Sequence, residues 1–208
     1  MDMGKLLSNF RTTILLSLAL AGVMIFAFGR IAPGGFDLSF WQAVFRWGHV
    51  ASGILWIGLL YYFNFVQIRV MPAIPAELKP AIGKHIAPEA LFWFRWSALS
   101  TVLFGVAVLF TRGHEYAMEV LSFGLAGGLT EDQKGFTLMG FGVWLAIVMF
   151  LNVWGIIWPN QKRALGIVVV DDAAKAKAAR VAMLASRTNL LLSLPMLTSM
   201  AMYQTLFG

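Results

Sequence analysis

RWGHVASGILWIGLLYYFNFVQ, residues 46–67, decides the fold class. At about 1.5 Å per residue it reaches across the roughly 30 Å hydrocarbon layer of a bilayer, and it carries a histidine. An ionisable side chain at membrane depth finds few partners in lipid, so it marks a candidate functional site. At about 100° per residue, Arg46, His49, Gly53, Trp56, Leu60 and Gln67 share one broad helical face, too polar to face lipid. Gly53 and Gly58 remove bulk where another helix or a flat cofactor approaches. Tyr61, Tyr62 and Asn64 form an amphipathic end suited to the membrane interface. The competing reading is an ordinary packed helix whose histidine hydrogen-bonds to a neighbour; spacing leaves both open.

Composition extends this reading to the whole chain. Its 208 residues are 59% hydrophobic and 12% charged, with a mean hydropathy of +0.75, far from a soluble domain. The length suffices for about five spans of roughly 20 residues each. The formal charge of +6 comes from basic residues between apolar runs, which points to membrane topology and implies no nucleic-acid partner. With no cysteine, disulfides, thiolate metal sites, iron–sulfur ligation and covalent c-type haem attachment are excluded for this chain.

The expected spans are 13–29, 41–65, 91–110, 136–158 and 189–207, in a single all-α membrane domain covering 1–208. The first reads as an uncleaved helix rather than a signal peptide, because its apolar run continues past Ala19-Leu20-Ala21 to Phe28. Between the second and third spans, Pro72, Pro75, Pro80 and Pro88 predict a connector without a long continuous helix. The segment 112–134 reads as a comparatively acidic connector, with Glu115, Glu119, Glu131 and Asp132 and the turn-forming Gly127-Gly128. Pro159 predicts the end of the fourth span, and the alanine-rich stretch 171–187 predicts a cytoplasmic helix leading into the fifth, where Pro195 predicts a kink. Of the 16 Lys and Arg residues, all but Arg30, Arg46, Arg112 and Lys134 fall on the side of the N-terminus. The positive-inside rule then places the N-terminus in the cytoplasm and the C-terminus outside, in a bundle of about five helices. His49 sits roughly 10 Å below the outer surface at 1.5 Å per residue.

Two polar districts follow. The outer one holds His49 with Arg46 one turn away, and Met139, Met200 and Met202 at similar depth. A membrane histidine beside glycines, with a second histidine or a methionine opposite, is what a b-type haem requires; Arg46 would pair with a propionate. Methionines are also common gap-fillers of membrane cores. The inner district holds Asn64, Gln67, Arg95, Asn152, Asn160, Gln161, Arg187 and Asn189. Its amides are expected to bond across helices, with a quinone, anion or headgroup site as the functional rival. Arg95 is expected to snorkel to the interface, with a phosphate contact as the alternative. His85 and His114 read as solvated histidines, His114 doubling as a possible second ligand, and no acid cluster supports a nonhaem metal centre. No catalytic residue is identified.

Four separated motifs carry a resemblance: residues 46–67, APEALFWFRWSAL at 87–99, NVWGIIWPNQKR at 152–163 and SRTNLLLSLPML at 186–197. Together, in this order and over most of the chain, they resemble the membrane domain of bacterial urate hydroxylases, the urate oxidase N-terminal family. The resemblance implies a bacterial inner-membrane protein that passes electrons between a membrane redox centre and a carrier outside. Full-length members continue into a cytochrome c domain; this chain resembles a short form without it. The family pattern also places a histidine before a tyrosine in the fifth span, where this chain has Met202-Tyr203.

The expected function is a haem b-binding electron-transfer subunit, with His49 as axial ligand, Met202 or Met200 as sixth ligand, and Arg46 and Gly53 completing the site. A cytochrome c or a larger membrane complex would be its partner. The alternatives are a non-catalytic accessory subunit of a respiratory or photosynthetic complex, and a urate or purine hydroxylase component.

Overall fold

The computed structural model describes residues 3–127 and 133–207; Gly128, Glu131 and Asp132, assigned above to the acidic connector, lie outside them. Among the described residues the chain is all helical, with no strand. We number the helices α1 (Met3–Ser8), α2 (Phe10–Ile31), α3 (Leu38–Ala73), α4 (Lys79–Thr111), α5 (His114–Leu121), α6 (Gln133–Ala164) and α7 (Asp172–Leu206). Five of them, α2, α3, α4, α6 and α7, are long and apolar enough to cross a membrane, the make-up of a multi-pass membrane protein.

The chain divides into two compact units at Phe45/Arg46. In the first, Asn9 caps α2 by accepting the Thr12 N–H at 3.2 Å, and Asp37 caps α3 by accepting the Phe40 N–H at 2.9 Å. The turn between them uses Gly35 at φ +62°, a left-handed conformation in which a Cβ costs energy. Gly29 lies directly beneath the rings of Phe36 and Phe40.

The second unit packs the remainder of α3 with α4, α5, α6 and α7. Its core repeats at helical spacing: Trp56, Leu60 and Phe63 of α3 meet Leu91, Phe94 and Ala98 of α4, and Met149, Val153 and Ile157 of α6. Lipid is as apolar as these side chains, so close approach at small residues and interhelical hydrogen bonds must set the register. Gly48 lies against the Phe104 ring, where a Cβ would stand 2.9 Å from it. Gly142 similarly admits Ser199, whose hydroxyl donates to the Leu138 carbonyl.

The prolines behave differently from the expectation. Pro72, Pro88 and Pro159 all lie within continuous helical stretches; Pro88 and Pro159 directly follow π-helical turns, at Ile82–Ile86 and Val153–Ile157, and Pro72 sits in the 3-10 turn Met71–Ala73 that ends α3. Ala87 and Trp158, the residues just before Pro88 and Pro159, donate their N–H groups five residues back, to Ile82 and Val153. The wider turn moves aside the carbonyl that a proline ring would strike, so the helix survives. Hence α3 and α4 extend into the predicted connector, leaving only 74–78 to join them, and α6 runs past Pro159 to Ala164. Likewise the predicted cytoplasmic helix and the fifth span are one helix, α7, capped by Asp171, which accepts the Ala174 N–H at 2.7 Å. Pro195 lies inside it. The predicted acidic connector contains α5, where Glu119 is 1% exposed and accepts the Ala126 N–H.

Candidate functional site

Close approach at Gly48 and Gly105 brings His49 onto α4. Its Nδ1 lies 2.8 Å from the Thr101 carbonyl oxygen, an atom that can only accept, so Nδ1 carries the proton and Nε2 the lone pair. Among the described residues Nε2 makes no hydrogen bond. The ring rests on Gly105, one turn beyond Thr101, where a Cβ would stand 3.0 Å from both Cε1 and Nδ1. A metal-ligating histidine is ordinarily held in this way, its second nitrogen donated to a carbonyl to fix tautomer and ring orientation.

His49 lines a half-open cavity of about 270 Å³, walled by apolar side chains of α3, α4, α6 and α7, including Val50, Val106, Val143 and Ile147. Its polar lining comes chiefly from Arg46, Arg112, Tyr116 and Gln204, and two thioethers, Met139 and Met200, share the wall with His49. Of the residues singled out in the sequence, the cavity thus unites His49, Arg46 and Met200. Gly53 lies one turn along α3, where a Cβ would meet the Thr101 methyl at 3.7 Å. Met202 is 47% exposed and absent from the lining. The buried face of α7 is drawn by Ser193, Met196, Ser199 and Tyr203; at about 100° per residue Met200 borders that face while Met202 is turned more than 90° from its middle. His114 is exposed at the start of α5, its ring tilted at 34° to that of Phe110 with centroids 6.3 Å apart.

The sequence reading missed the group around Arg112. Its Nη1 donates to the Tyr116 hydroxyl at 2.7 Å and to the Tyr203 hydroxyl at 3.3 Å, and Tyr116 donates to Tyr203 at 2.8 Å. Burial, and then the hydrogen bond with Tyr203, push the Tyr116 phenol well above the ordinary tyrosine range. Burial of Arg112 opposes its charge, but the two phenol oxygens more than offset that and leave its pKa raised. Arg112 therefore stays cationic, with one nitrogen engaged and its other donors unspent. Its one-turn spacing from Tyr116 was visible in the sequence; the approach of Tyr203, 91 residues away, was not.

The donor set fits a b-type haem: an imidazole whose Nδ1–H is held by a carbonyl, a thioether in the same wall, two guanidinium groups in the lining and a glycine under the ligand ring. The volume lies just below the roughly 300–1,000 Å³ usual for ligand pockets.

At the other end of this unit the amides bond across helices. Asn64 donates to Ser186 at 2.9 Å, Asn152 to Asn189 at 2.7 Å, and Asn189 to the Met149 carbonyl at 3.0 Å. Arg95 does not snorkel: it is 9% exposed, with its guanidinium carbon 3.4 Å from the centre of the Trp158 ring.

The chain matches no protein-family profile, no curated protein and no solved structure.

Proposed function

We propose that this protein is a membrane electron-transfer subunit that holds a b-type haem in the cavity at His49. One observation supports this above the rest: His49 donates Nδ1–H to the Thr101 carbonyl and rests on Gly105, leaving the Nε2 lone pair uncommitted beside an apolar cavity. Bound haem supplies a one-electron iron couple. His49 would offer the axial nitrogen, Met200 or Met139 a thioether, and Arg46 and Arg112 the cations for the propionates. The apolar walls would exclude water and hold the site at low dielectric, which penalises the extra positive charge of the oxidised iron.

In this reading the N-terminus lies in the cytoplasm and the C-terminus outside a bacterial inner membrane, as the distribution of Lys and Arg supports. The cavity then opens near the outer face, within reach of a cytochrome c or of a larger membrane complex. The likeness of four motifs to the urate hydroxylase membrane domain supports the same reading, and urate chemistry itself rests on that likeness alone.

The test is a reduced-minus-oxidised visible spectrum of the purified protein, with and without added haem. A b-type band is expected in the wild type and absent from His49→Ala. A protein that remains colourless after haem is supplied refutes the proposal. Should it also co-purify with a large membrane complex, the accessory-subunit reading replaces it.

A further inference from the structure

The buried Arg95 is the starting point. It lies midway along α4 and one turn inside the apolar run that starts at Leu91. A buried charge needs a partner of opposite sign or a full set of hydrogen bonds. Arg95 has neither: among the described residues it makes no hydrogen bond or ion pair, and its buried Nη1 is unpartnered. Its one compensation is a cation–π contact with the Trp158 ring, which falls well short of the cost of an unpaired buried ion.

A second cation converges on the same indole. Lys162, one turn beyond Trp158, places its Nζ 5.6 Å from the ring centre, and it too has no acidic partner among the described residues. Around this pair, further polar atoms are buried without partners: Gln161 Oε1 next to Lys162, Gln67 Oε1 on α3, and the indole N–H of Trp154. Trp154 stands one turn before Trp158 and packs edge-on against Trp96, the neighbour of Arg95. Gln67 continues the buried face of α3 one turn past Phe63, whose ring meets Phe94, the other neighbour of Arg95. Three helices thus direct unpaired polar groups to one layer. Two cations and an indole N–H call for acceptor oxygens and negative charge, and an amide presents either a donor or an acceptor by rotating.

We propose that Arg95 and Lys162, 3.4 Å and 5.6 Å from the centre of the Trp158 ring, form an oxyanion site for a phosphate group. Gln161 and Gln67 are positioned to hydrogen-bond its remaining oxygens, in the manner of charge-assisted Arg–phosphate recognition. The phosphate comes either from a phospholipid headgroup or from a free anion. The site is independent of the His49 cavity, and its test needs no haem.

Protein stripped of lipid in a maltoside detergent is titrated in one arm with phosphatidylglycerol, followed by native mass spectrometry, and in the other with radiolabelled inorganic phosphate in equilibrium dialysis. The wild type is expected to bind one of the two saturably, phosphatidylglycerol alone identifying a headgroup and inorganic phosphate a soluble anion. Arg95→Gln and Lys162→Gln should each weaken that binding about tenfold or more, while Arg95→Lys retains part of it. Lys162 is only half-buried, so its variant keeps the test open should Arg95→Gln fail to fold. Failure of both probes to bind the wild type, or binding by Lys162→Gln and Arg95→Lys indistinguishable from wild type, overturns the proposal.

Discussion

Gly105→Ala probes the seating of the His49 ring on α4. The added methyl would stand 3.0 Å from His49 Cε1 and Nδ1, so the ring must retreat by a few tenths of an ångström. Retreat lengthens the 2.8 Å bond to the Thr101 carbonyl, which is worth about 1 kcal/mol. Overpacking adds about 1–3 kcal/mol of strain, while alanine in a helix recovers about 1 kcal/mol relative to glycine. The fold should therefore lose about 1–3 kcal/mol. Haem binding should weaken as well, because disturbing the partner that orients a metal ligand costs about 10–100-fold in affinity, roughly 1.4–2.8 kcal/mol. The assay is haem titration of the cofactor-free protein by absorbance, with helicity followed in parallel. Gly58→Ala, on the same helix as His49 with nothing within 4 Å of its added methyl, is the control and should bind as wild type does. A Gly105→Ala protein that binds haem within about twofold of wild type would refute the placement of His49 as a ligand oriented by Thr101.

Two further outcomes follow from the polar contacts. Asn189 is fully buried and joins Asn152 to the Met149 carbonyl; Asn189→Ala should lower stability against a denaturing detergent by about 1–2 kcal/mol, whereas an unchanged midpoint would show the network contributes nothing. The raised pKa of Tyr116 means that the folded state holds the phenol proton more tightly than the unfolded chain. The stability this supplies is complete below the ordinary tyrosine pKa and is lost as pH rises through the shifted value. An alkaline absorbance titration should show one late-titrating tyrosine that Tyr116→Phe removes, and a wild-type curve without a late component would contradict the burial of that hydroxyl.

Much of the fold was legible locally. Hydropathy marks the apolar segments because transfer into lipid is a sum over residues, and the 3.6-residue period marks Trp56, Leu60 and Phe63 as one face. Helix ends were less legible. A proline's cost to a straight α-helix is a local rule, but Pro88 and Pro159 each follow a π turn, and nothing in the residue types announces that turn. In the cavity, His49 and Arg46 stood out because polar residues in an apolar run are conspicuous. Met200 and Met202 could not be separated by depth, since helix rotation, not height, decides which of them borders the cavity.

By itself the sequence determined an all-helical chain with five segments apolar enough to cross a membrane, and a histidine–arginine pair one turn apart on one of them. Only the tertiary structure decided that the Thr101 carbonyl, 52 residues away, takes the His49 proton, that Tyr203 completes the Arg112 group, and that Arg95 lies on Trp158 instead of reaching for the interface. The reason is physical: in a lipid-like environment every apolar face is equally acceptable to its surroundings. The rotation and register of each helix are therefore chosen by where a glycine lets another element in and where a polar group finds its partner. Those pairings link residues far apart in the chain, and no local pattern encodes them.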